Sequence, residues 1–175
     1  MTFDPKAYGE TVASILALDG AGERMMPLAR GTCSSTEARQ RLKQITAAEL
    51  FKGSRAPDAA LSGLYLYFSC MEESHNLSQS LETPDGSFWH GILHRQEPDP
   101  GNAAYWFRRV GAHPIFPLLR TCALELGVDF GPRWDPFAFI DLCGTGDQRA
   151  LEVQRAEWQL LFDYCAAKKR GGNPS

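Results

Sequence analysis

No stretch of the 175-residue sequence approaches the roughly 20 consecutive apolar residues that a membrane-spanning helix requires. A soluble protein with no membrane partner is therefore expected. Neither sign of charge is in large excess: 18 basic against 21 acidic side chains leave a formal net charge of -3. A mildly acidic chain repels polyphosphate, so nucleic acid is not expected as a partner. The five cysteines, Cys33, Cys70, Cys122, Cys143 and Cys165, are odd in number, widely spaced and never arranged as Cys-x-x-Cys. They read as reduced thiols in a cytosol. Residues 1–8 lack the basic-then-apolar layout of a signal peptide, and the expected location is cytoplasmic.

Sustained period-two alternation, the mark of a half-buried strand, is nearly absent, whereas helical periodicity with helix punctuation recurs. With 43% hydrophobic and 22% charged residues, the composition is that of a globular protein. The reading is all-α: one domain over 1–170, a bundle of about seven to eight helices, and a flexible tail over 171–175. The first helix is placed over 5–18, before an Asp19-Gly20-Ala21-Gly22 loop that has no strand in front of it and is read as a turn. Ser34 with Glu37 and Thr46 with Glu49 match the capping box and each open a short helix. Longer helices are predicted over 58–81, 87–96, 102–110, 115–126 and 148–169. Asp135-Pro136 has the form of an N-cap before a first-turn proline, so 137–143 is predicted helical, with a buried strand as the alternative.

The segment 58–81 is the most informative. At 100° per residue Leu61, Leu64, Tyr65, Phe68 and Met71 share an apolar stripe, which Glu72, His75 and Gln79 continue. The inward face thus turns polar halfway along, and a carboxylate and an imidazole removed from water need partners. A satisfied core network, or a helix end emerging into solvent, has the same pattern. Glu72-x-x-His75 also has the spacing of paired ligands in di-iron bundles, but such a site uses two of these pairs and this chain has one.

In Phe88-Trp89-His90-Gly91-Ile92-Leu93-His94-Arg95-Gln96-Glu97 the side chains of His90, His94 and Glu97 project from one helical face. Two histidines four apart can chelate a divalent metal such as Zn or Fe, with a third ligand from Glu97, His75 or His113 and an open position for water. Gly91 stands where the zinc-protease motif His-Glu-x-x-His has its glutamate. The same face lies opposite Phe88, Trp89, Ile92 and Leu93, which is equally the layout of a solvated surface. On the next helix Asn102, Tyr105, Arg108 and Arg109 gather opposite Ala103, Trp106, Phe107 and Val110. With Arg95 they offer fixed positive charge to a carboxylate or phosphate, although pairing with Glu97 or Asp99 is the ordinary alternative.

The string His94-Arg95-Gln96-Glu97-Pro98-Asp99, then Asn102, Tyr105-Trp106-Phe107-Arg108-Arg109-Val110-Gly111 and His113-Pro114, resembles a family of proteins from soil bacteria and fungi with no established activity. The resemblance spans about residues 75–116, including the positions of His75 and Trp89-His90. It implies a shared site and no particular reaction.

Three readings stay open. In the first, a metal-assisted enzyme acts on a small anionic substrate: Glu72, His75 and Glu97 are catalytic, Gln79, Arg95, Asn102, Tyr105, Arg108 and Arg109 bind substrate, and His75, His90, His94 and His113 are candidate metal ligands. In the second, the same pocket binds a small anion or cofactor without catalysis. In the third, Trp89, Tyr105 and Trp106 anchor a protein partner.

Overall fold

The computed structural model describes residues 3–168, so the tail expected over 171–175 lies outside the described residues. Among them the chain forms ten α-helices, two short 3-10 turns and no strand. The helices are α1 (Glu10–Leu16), α2 (Thr36–Lys43), α3 (Ala47–Leu50), α4 (Pro57–Tyr67), α5 (Met71–Gln79), α6 (Pro84–Gln96), α7 (Pro100–Val110), α8 (Phe116–Glu125), α9 (Pro136–Gly144) and α10 (Gln148–Ala166). None is long and apolar enough to cross a membrane.

The all-α class holds, with more helices than the seven to eight expected, and the most consequential difference lies in 58–81. This segment is two helices. Ser69 takes a left-handed conformation (φ 56°), its amide donates to the Leu66 carbonyl, and the Cys70 amide donates back to Tyr65. That pair of bonds is the Schellman stop that normally carries glycine. The break resets the helical phase, so α5 turns Met71, Ser74 and Ser78 inward while Glu72 and Gln79 are exposed.

Local capping chemistry sets the other boundaries. Thr46 and Glu49 form the expected box, but Ser35 rather than Ser34 caps α2, accepting from the Ala38 amide. Prolines 84 and 100 begin their helices instead of preceding them, because Thr83 and Asp99 accept from the third amide along. Residues 137–143 are helical, capped by Asp135. The 19–22 segment is a turn, held by the Tyr67 hydroxyl, which accepts from the Gly22 and Arg24 amides.

Two helices are buried on every side, α4 from Ala59 onward and α6 from Gly86 onward. α4 packs on α5, α10, α6 and α3, and α6 packs most extensively on α7. Gly63 allows the closest approach within α4: a Cβ there would lie 2.6 Å from the Trp89 ring, and its carbonyl accepts from the Trp158 indole at 2.8 Å. The complete burial of α6 is what positions the site.

Candidate metal centre

His90 and His94 lie one turn apart on α6, and His75 faces them from α5. Ring centroids are 4.6 Å apart for His75 and His90, 4.7 Å for His90 and His94, and 5.7 Å for His75 and His94. One candidate ligand atom from each of the three lies within 4.8 Å of the others. The face that sequence periodicity leaves compatible with solvent is therefore covered: His90 is 2% exposed and His94 7%. The covering elements are α5 and α7.

The tautomers follow from the partners. The Ser78 hydroxyl donates to the Ser74 carbonyl at 2.8 Å and lies 2.9 Å from His90 Nδ1. Its one proton being engaged, Nδ1–H of His90 donates to Ser78 Oγ and the Nε2 lone pair is left free. His94 Nδ1 lies 3.0 Å from Glu97 Oε2, although the ring nitrogen is out of hydrogen-bond alignment. The contact is electrostatic, and since a carboxylate only accepts it favours the tautomer with the proton on Nδ1 and Nε2 open. Carboxylate or hydroxyl support behind an imidazole is the usual way a metal-ligating histidine is oriented. Zinc held at about 2.0–2.1 Å from each nitrogen would set three tetrahedral ligands about 3.3 Å apart, so the three atoms, within 4.8 Å of one another without the ion, would draw together on binding.

Burial first, then the neighbouring His94 and His75, pushes the His90 imidazole down to about 3. Burial also lowers His94, against the opposing pull of Glu97. Both rings are neutral at pH 7, the form that binds metal. An unfolded histidine takes up its proton near pH 6.5, so on acidification the unfolded chain binds more protons than the folded one. This contribution to stability is full above about pH 6.5 and is lost as pH falls toward 3, by about 1.4 kcal/mol per pH unit for each histidine held neutral. Urea denaturation of the metal-free protein at pH 7.5 and pH 5 should show the loss, and His90→Asn should reduce it. An unchanged midpoint would contradict the assignment.

Gly91, between the two α6 ligands, faces α7: a Cβ there would stand 2.9 Å from the Phe107 ring. No side chain fits where a zinc protease has its glutamate. Gly91→Ala is expected to destabilise by about 1–3 kcal/mol through overpacking, outweighing alanine's roughly 1 kcal/mol helix preference; differential scanning calorimetry would measure it.

Several sequence candidates are placed elsewhere. Glu72 and Gln79 are exposed on α5, for the phase reason given above, so Glu72 does not join the buried cluster. His113 is buried at a different place: Nε2 lies 2.9 Å from Asp85 Oδ1 and Nδ1 accepts from the Ile115 amide. Asp85 precedes His94 by nine residues, about 13 Å of helix, and His113 serves as a tie between the start of α6 and the turn before α8. Arg95 points to the opposite side of α6 and is buried in an ion pair with Glu157, out of reach of any substrate. Asn102 is exposed and bonded to Asp99, which caps α7. Glu97 stands behind His94 and 3.5 Å from Arg30.

Trp106, read from sequence as part of an apolar face, packs against His90 with ring centroids 4.1 Å apart. The Arg109 guanidinium lies 5.3 Å from the centre of the same indole, and exposed Tyr105 meets that indole edge-on. Trp89 is wholly internal, which removes the main anchor of a partner-binding surface. Ser78 is the supporting residue that sequence reasoning missed, and its spacing of three from His75 becomes informative only once α5 is known to start at residue 71. Arg108 lines a separate open groove of about 1060 Å³, together with Arg120, Arg133, Phe116, Trp134 and Phe137.

No family model, curated protein or solved structure matches the chain.

Proposed function

We propose that the protein is a metal-dependent enzyme acting on a small anionic substrate, with His75, His90 and His94 as the ligands of one divalent ion, zinc before iron. The observation that carries this reading is the convergence of three imidazoles, half-buried His75 with buried His90 and His94, the latter two neutral and facing Ser78 and Glu97. Three histidines with a position left over for water are a catalytic rather than a closed structural ligand set. A bound ion of this kind supplies Lewis acidity and an activated water near neutral pH. Glu97 holds His94 in its tautomer. Arg109, beside the indole that covers His90, supplies the positive charge an anionic substrate needs. The stretch that carries the family resemblance, 75–116, includes all of these residues.

The test is hydrolysis by zinc-reconstituted against metal-free protein over a panel of carboxylate- and phosphate-bearing esters and amides. Activity is expected only with metal. Arg109→Ala should raise KM for the best substrate about tenfold while metal affinity stays unchanged; equal activity with and without metal would defeat the proposal.

A second reading, a non-catalytic binder of small anions, is favoured by the groove that holds Arg108, Arg120 and Arg133. It expects thermal stabilisation by benzoate or phosphate that survives His90→Ala and disappears in Arg133→Ala.

A further inference from the structure

Away from the histidines, two thiols meet at the joint between α4 and α5. Cys70 is the residue after left-handed Ser69 and immediately precedes α5, while Cys33 sits in the loop before α2, half-buried. Their sulfurs are 2.6 Å apart, little more than the roughly 2.04 Å of a disulfide bond. The backbone already holds the two segments together, since the Ser34 amide donates to the Phe68 carbonyl at 2.8 Å. Closing the bond therefore requires a slight approach of two side chains and no rearrangement of either helix. Cys143 and Cys165 are buried thiols in other parts of the core, and Cys122 is half-buried on α8.

We propose that Cys33 and Cys70 are a redox-modification site that closes to an intramolecular disulfide under hydroperoxide and reopens under dithiol reductants. Cys33, the more accessible sulfur, attacks the peroxide: the O–O bond breaks, the sulfur is oxidised by two electrons to a sulfenic acid, and one water leaves. The Cys70 sulfur then attacks Cys33, the S–S bond forms, and the sulfenic oxygen departs as a second water carrying the Cys70 proton. In total two thiols and one peroxide give one disulfide and two waters. A dithiol returns two electrons and two protons. Burial raises the Cys70 thiol above its ordinary range, which fits Cys70 as the resolving rather than the attacking group. Arg39 pairs with Glu73, three residues beyond Cys70. The bond would pin Cys70, the cap of α5 and five residues before His75, to the loop that precedes α2.

The inference does not depend on metal binding, and its test is read without it. Full-length protein is treated with stoichiometric hydrogen peroxide, alkylated and digested with trypsin under non-reducing conditions. Peptide 31–39, containing Cys33, should appear joined to peptide 56–95, containing Cys70, at the expense of the free peptides, and separate on dithiothreitol. Oxidation should raise the melting temperature of the native chain and leave that of Cys33→Ser unchanged. Recovery of both peptides singly from folded, peroxide-treated protein would overturn the proposal, as would linkage of Cys33 to a second chain or to Cys122.

Discussion

Glu157→Ala is expected to lower the folding free energy by about 3–5 kcal/mol, the largest loss among single substitutions of charged residues in this chain. The side chains of Arg95 and Glu157 are 1% and 0% exposed. Arg95 Nη1 donates to Glu157 Oε1 at 3.2 Å, and Nη2 donates to both Glu157 Oε2 and Gln154 Oε1. The guanidinium also lies 4.3 Å from the Phe139 ring centre. Removing the carboxylate leaves a guanidinium without its counter-charge among aromatic rings, and an unpaired buried charge is one of the costliest defects a core can hold. Burial pushes the Glu157 carboxyl up, while the adjacent guanidinium holds the charged form. Replacing both partners, Arg95→Met with Glu157→Leu, should recover most of the loss, because the ion pair gives up much of its attraction to desolvation. Urea denaturation of the native chain and the two variants measures this. A Glu157→Ala loss below about 1 kcal/mol, the range of exposed pairs, would show that the pair is solvated.

His90→Ala is expected to weaken zinc binding by at least about 100-fold, more than the 10- to 100-fold typical of removing a group behind a ligand. Ser78→Ala and Glu97→Gln should fall within that milder range, because each releases a tautomer without removing a ligand atom. The thermal readout follows by mass action: at free zinc 100 times the dissociation constant the native protein gains about 2.7 kcal/mol, and His90→Ala should gain almost none. His113→Ala serves as the contrast. It should lose stability through its broken bond to Asp85 and retain full zinc affinity. Equal affinities for the native chain and His90→Ala would remove His90 from the site.

Where the determinants are local, the sequence is a good guide. Thr46 with Glu49 and Asp135 with Pro136 place their helix starts because capping acts over three residues. The 58–81 segment shows the limit. Its stop is formed by Ser69, a residue with no marked preference for the left-handed conformation, so no glycine or proline announces the break. One missed stop rotates every residue after it, which is why Glu72 and Gln79 were expected inside and Ser78 was not. His75 survives the error because its new phase still carries it toward α6. The burial of His90 and His94 depends on α5 and α7 closing over α6, and the partner of Arg95 lies 62 residues along the chain. Neither relation is encoded in periodicity. The general position of the site was legible, since the candidates named from sequence all fall between Glu72 and His113; its membership was decided by packing.

The most direct test of the metal centre is a titration of metal-free native protein with cobalt and zinc, followed by elemental analysis after desalting. One ion per chain is expected, with the visible absorption of four-coordinate cobalt, displaced by zinc and absent when His75, His90 and His94 are all alanine. Uptake no greater than in that triple variant, with the native chain folded, would contradict the assignment of the three histidines as a metal site.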